Sequence, residues 1–195
     1  MSLSERVYET VYLDGLSLKA TGIVVGVALI ALHVFALIKA ESVQQFLRKL
    51  PRNRTLGVAI LTVDLVWSLW LISTMHMGEF YTARPWLQII IPLTYVLVIL
   101  FVEEFLAVRA LGALILLATC PILEAAFLRP EISRLLLPTL CYVWILIGMF
   151  WVGMPYLMRN QVAWVTKVPQ RWSGACIAGA AYGGAILICA LAFWS

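Results

Sequence analysis

Two polar residues stand where chemistry inside a membrane would need them. Asp64 is the one charge in the run from 55 to 78, and His33 lies in a charge-free run from 20 to 38. A carboxylate near the centre of a membrane-spanning helix costs about 2.5–3.5 kcal/mol, so it turns inward and finds a partner. At 100° per residue Gly57, Asp64, Ser68 and Met75 share one helix face, and His33 shares another with Gly22 and Gly26. Counted from the bordering basic residues, His33 is six residues deep and Asp64 ten, a difference of about 6 Å at 1.5 Å per residue. Side chains lean toward their own helix N-terminus, which narrows that gap between antiparallel neighbours. The expectation is a hydrogen-bonded His33–Asp64 pair between the first two long helices. Such a pair serves either as a proton or cation relay or as a polar clasp worth about 0.6 kcal/mol.

Other reactive side chains give less. Glu124 is five residues inside Arg129 and is expected to join His76, Glu79, Arg84, Glu131 and Arg134 in an outer polar group. Glu103 and Glu104, with Arg109, read as an interfacial helix end. His33 and His76 stand at opposite depths and cannot both ligate one haem iron. Cys120, Cys141, Cys176 and Cys189 show no CxxC spacing and build neither a zinc site nor a redox pair. The sequence has no HExxH, no clustered aspartates, no intramembrane Ser/His pair and no phosphate-cradling glycine loop. No catalytic residue, metal ligand or cofactor is therefore assigned. Gly22-x-x-x-Gly26 and Gly179-x-x-x-Gly183 carry the small-residue spacing that lets membrane helices approach closely.

The elements that position these groups follow from where charge is missing. The 195 residues are 63% hydrophobic and 12% charged, which excludes a soluble enzyme because so few polar groups could not cover its surface. Six runs, 20–38, 55–78, 85–102, 110–128, 135–158 and 172–195, hold two charges between them, Asp64 and Glu124. Each is near the ~20 apolar residues that span a ~30 Å hydrocarbon core. The expected fold is an all-α bundle of six transmembrane helices forming one polytopic domain over 1–195, with every connection short.

Orientation follows from the basic residues. The loops 39–54, 103–109 and 159–171 hold nine Lys and Arg against five on the other side, so they are expected in the cytoplasm and both termini outside. That is a multi-pass arrangement in a plasma or inner membrane. No cleavable leader is expected, because the first 19 residues mix acids and bases ahead of an apolar run long enough to span. Short interfacial helices are expected near 2–12, opened by a Ser2-x-x-Glu5 capping pattern, and near 41–50, where Val43, Phe46, Leu47 and Leu50 form one face. The alternative for the second is a plain extension of the first span.

A weak repeat, Arg-x-x-Gly-x-x-Ile, begins at Arg54, Arg109 and Arg171, and it suggests three tandem helical hairpins. An arginine at a helix N-terminus opposes that helix's dipole, so lipid phosphate and topology are the expected reasons for it.

Three functions stay open, in this order: a non-catalytic subunit or scaffold of a larger membrane assembly, a small proton- or cation-coupled carrier or channel using His33 and Asp64, and an intramembrane enzyme. The expected partners are the lipid bilayer and other membrane subunits or further copies of this chain. The basic balance marks topology, with no aromatic-interleaved basic face for nucleic acid.

Overall fold

The computed structural model describes residues 3–13, 15–102 and 104–194. Ser2 of the expected capping pattern and Glu103 of the acidic pair lie outside the described residues. The chain runs through α1 (Leu3–Tyr8), extended by a π-helical turn at Glu9–Leu13, then α2 (Leu18–Ile38), α3 (Ala40–Lys49), α4 (Arg54–Thr74) and α5 (Arg84–Phe101). It continues through α6 (Leu106–Ala126), α7 (Leu136–Gly153), α8 (Tyr156–Thr166) and α9 (Pro169–Ala192), with no strand among the described residues. Helices α2, α4, α5, α6, α7 and α9 are each long and apolar enough to cross a membrane, the signature of an integral membrane protein.

Local chemistry explains the helix boundaries. The Ser17 side chain accepts from Ala20 N–H at the start of α2, and Asn53 accepts from Leu56 N–H at the start of α4. Lys39, at φ −109° and ψ 41°, breaks the chain between α2 and α3, so residues 40–49 form a separate helix and not an extension of the first span. The fifth span ends at Gly153, five residues before its expected limit, because Pro155 cannot continue the helix and restricts Met154 before it. Residues 156–166, expected as the end of a span and the start of a loop, instead form α8.

The tandem hairpins suggested by the repeat are not the packing units. α2 packs along α9, α6 along both α7 and α4, and α4 along α5, whereas no extensive backbone contact joins α2 to α4, α5 to α6 or α7 to α9. Close approach between glycines decides these partners. A Cβ on Gly26 would lie 2.9 Å from the Gly183 carbonyl oxygen, and one on Gly112 2.8 Å from that of Gly148. Gly22 faces Trp194, and Gly179 faces His33. The three repeat glycines are unlike one another: Gly57 abuts the Ala107 backbone, Gly112 abuts Gly148, and Gly174 faces open space.

Two buried clusters hold the ends of the bundle. Leu18, Val25, Leu29, Ala126, Leu137, Ile186, Ala190 and Trp194 join α2, α6, α7 and α9. Leu50, just past α3, joins Ala107 and Val108 of α6 and Met158 of α8 at the end that carries the basic connections, with Leu47 of α3 packed against them.

The arginines of the repeat take a role that lipid and topology did not suggest. Arg54 donates to the Ile99 carbonyl at the end of α5 (3.1 Å), Arg109 to Val152 near the end of α7 (2.7 Å), and Arg171 to Trp164 in the last turns of α8 (3.4 Å).

Gly183→Ala is expected to destabilise the α2–α9 contact by about 1–3 kcal/mol, because its Cβ would meet Leu29 and the Gly26 carbonyl at 2.8 and 2.9 Å. Gly184→Ala meets nothing within 4 Å and is expected to be neutral or to gain up to about 1 kcal/mol. Thermal unfolding of both variants in one detergent checks this pair, and equal midpoints would remove the glycine contact as the reason for α2–α9 packing.

Candidate functional site

Asp64 and His33 are not brought together. Asp64 is 5% exposed, and no described protein group donates a hydrogen bond to either of its carboxylate oxygens. It lines a cavity of about 210 Å³ between α4 and α5, with Leu61, Leu65 and Ser68 on one side and Ile91, Thr94, Tyr95 and Val98 on the other. His33 stands on the α2–α9 contact, where its ring fills the space above Gly179 and its Nδ1–H donates to the Leu29 carbonyl (2.7 Å). It lines a separate cavity of about 280 Å³ with Thr139, Trp144 and Tyr182. Depth was compatible with a pair, but α2 leaves α4 for α9 and carries the imidazole with it.

The α4–α5 contact is fastened away from Asp64. Tyr95 shares a hydrogen bond with Thr62 Oγ1 (2.8 Å), whose own hydroxyl donates to the Val58 carbonyl, and Gln88 Nε2 donates to Ser73 Oγ (3.3 Å). At 100° per residue Thr62 and Ser73 lie about 160–180° around α4 from Asp64. The carboxylate therefore occupies the side of the helix pair that these bonds leave free. Pro92, inside α5, removes the amide donor that the Gln88 carbonyl would otherwise receive. Helix α5 buries none of its residues.

The expected outer polar group is divided. His76 and Arg84 line a cavity of about 520 Å³ with Glu5, Tyr8, Glu9, Ser73, Thr74 and Tyr81, at the end of the bundle away from the basic connections. Glu124 lies instead beside Gly15, where a Cβ would sit 3.2 Å from the Glu124 carbonyl. Arg134 donates to the Ala126 carbonyl at 2.6 Å and so closes the end of α6. The N-terminal residues were missed as partners for this end. Tyr8 and Tyr12 stack at 5.6 Å, both rings meet Trp70, and Trp67 Nε1–H donates to the Tyr12 hydroxyl at 2.8 Å. The signal was present as two tyrosines one helical turn apart, facing two tryptophans three residues apart on α4.

Glycines 22, 26, 179 and 183 all lie on the α2–α9 contact. The four cysteines are free, and no group of three or more His, Cys, Asp and Glu that could hold a metal occurs among the described residues. Hydroxyls on α5 were missed because Thr94 and Tyr95 carry no charge to mark them in an apolar run.

Tyr12→Phe removes the Trp67 bond and is expected to weaken docking of residues 3–13 by about 1 kcal/mol, read as roughly fivefold faster amide exchange there. Tyr8→Phe keeps the stacked ring and leaves exchange unchanged. Burial pushes the Tyr12 phenol above its ordinary 10.0, against the lowering effect of the Trp67 bond. Docking is thus fully present below pH 10 and is lost as pH rises through the value in the folded chain. Equal exchange in both variants would show that the phenol bond contributes nothing. No family model, curated protein or solved structure matches the chain.

Proposed function

We propose that the chain is a small proton- or cation-coupled carrier in which Asp64 alone is the binding carboxylate. The observation that carries this reading is the pair of buried Asp64 oxygens without a protein donor, set at a cavity that two hydroxyl-bearing residues, Ser68 and Thr94, also line. A purely structural carboxylate in hydrocarbon is expected to be clasped, because an unclasped one costs several kcal/mol and contributes no packing. The clasp with His33 is absent, which moves weight from a structural role to a functional one. Oxygens so completely covered suit a proton or a small bare cation, with the hydroxyls taking the place of hydration. On this reading His33 is a packing residue of the α2–α9 contact. The loops at the basic end face the cytoplasm.

A second reading, a non-catalytic subunit of a larger membrane assembly, is favoured by a different observation. α5 buries no residue, touches mainly α4, and presents Ile89, Leu93, Leu97 and Leu100 outward. Lipid or another helix fits that face equally well.

Reconstitution into liposomes with an imposed pH or cation gradient separates the two. The carrier reading expects flux that falls to background in Asp64→Asn and is retained in His33→Gln, with both variants unfolding at similar temperatures. Flux in Asp64→Asn equal to the unaltered chain would sink it. Absence of flux, together with stoichiometric recovery of a second membrane chain in mild detergent, would instead establish the subunit.

A further inference from the structure

The basic end of the bundle contains a cleft that the six spans do not explain. It lies between α3 and α8 and measures about 430 Å³. Arg159, Val162, Ala163, Thr166 and Lys167 line it from α8, a spacing of zero, three, four, seven and eight that places all five on one helix face. Leu47, Arg48 and Pro51 line it from the other side.

Its chemistry is divided in two. Leu47, Pro51, Val162 and Ala163 make an apolar floor, and Arg48, Arg159 and Lys167 supply three cations with no acidic residue in the lining. Arg48 is held in place by donating to Thr166 Oγ1 at 2.8 Å, which uses one of its five N–H groups and leaves the others for a ligand. Arg159 lies 5.8 Å from the centre of the Phe105 ring, a contact that orients it without neutralising it. The connections that form this end, 39–54 and 159–171, hold eight basic residues and one acid, Glu41, which stands two turns from Arg48. Three cations around one cleft with no acid in its lining make a positive potential that favours an anion.

We propose that this cleft binds the phosphate of an anionic membrane lipid, with the first carbons of its acyl chains on the apolar floor. The arginines supply the forked donors that suit phosphate oxygens, and the lysine adds a point charge. The lipid is favoured over free phosphate because half of the lining is apolar and the cleft opens where the spans of a membrane bundle end. The site is independent of Asp64 and stands whether or not the chain is a carrier.

The test uses the full chain in a neutral detergent, titrated with phosphatidylglycerol or with phosphatidylcholine of the same acyl chains and read by native mass spectrometry. Phosphatidylglycerol is expected to bind about tenfold more tightly, a preference that Arg159→Gln with Lys167→Gln removes. Arg159→Lys with Lys167→Arg keeps the preference, and so does Arg6→Gln with Lys19→Gln, which removes the same charge at the other end. Equal binding of the two lipids by the unaltered chain would overturn the proposal, as would an equal loss of preference in the Arg6/Lys19 variant. Complete displacement of the lipid by an equal concentration of inorganic phosphate would also overturn it, by identifying the free anion as the ligand. Should the double glutamine variant fail to fold, the two-lipid comparison and the charge-retaining variant still decide.

Discussion

A carbonyl in the last turn of a helix has no donor within its own helix, and near hydrocarbon little water is present to replace one. In this chain arginines meet that demand. Arg54 reaches α5, Arg109 reaches α7, Arg171 reaches α8, Arg134 closes α6 at Ala126, and Arg84 closes α4 at Met75. Each guanidinium opposes the dipole of a helix it begins but lies against the negative end of its neighbour, so the net interaction is favourable. Such charge-assisted bonds are worth about 1.5–3 kcal/mol each. Two of them join consecutive members of the row α5–α4–α6–α7: Arg54 ties α4 to α5, and Arg109 ties α6 to α7. The arginines thus sit at the helix ends for a geometric reason as well as a topological one.

That constraint leaves helix pairing to be decided by shape. Among helices that are apolar on every side, burial in protein and exposure to lipid carry nearly the same free energy, so amphipathicity says little about which helix meets which. The gaps between charges located all six spans because charge is expensive in hydrocarbon wherever it points. They were silent about partners for the same reason. The glycine spacings on α2 and α9 were visible as packing motifs, yet nothing in them said that each was the other's complement. That match required the backbones to approach until Gly26 and Gly183 stood against each other's carbonyls.

The misplacement of His33 follows directly. Residue counting placed His33 on the face of Gly22 and Gly26, but a helical wheel has no absolute direction until a neighbour is known. Once α2 turned to α9, the imidazole belonged to Gly179 and Asp64 was left without a clasp. The missing α8 had a plainer cause. Pro155 sits inside a charge-free run, and counting charge alone passed over the residue most able to end a helix. With α8 hidden, the cleft that Arg159 and Lys167 share with Arg48 was hidden too, since it depends on α3 and α8 lying side by side. Asp64 stood out because it was the one charge in its run. The hydroxyl-bearing Thr94 in the same cavity did not, because a threonine in an apolar helix has many uses.

The two halves of the bundle differ in how closely their helices meet. α2 and α9 meet backbone to backbone through glycine, where a shift of a few tenths of an ångström produces overlap, so they act as a rigid pair. α5 touches mainly α4, buries no residue, and is held by the Arg54, Thr62 and Ser73 bonds. The Thr62 and Ser73 bonds lie on the side of α4 away from Asp64. Between them in height, Pro92 removes one rung of the α5 backbone ladder. The span that the rest of the bundle holds least therefore borders the cavity beside Asp64, and the glycine pair lies on a different contact.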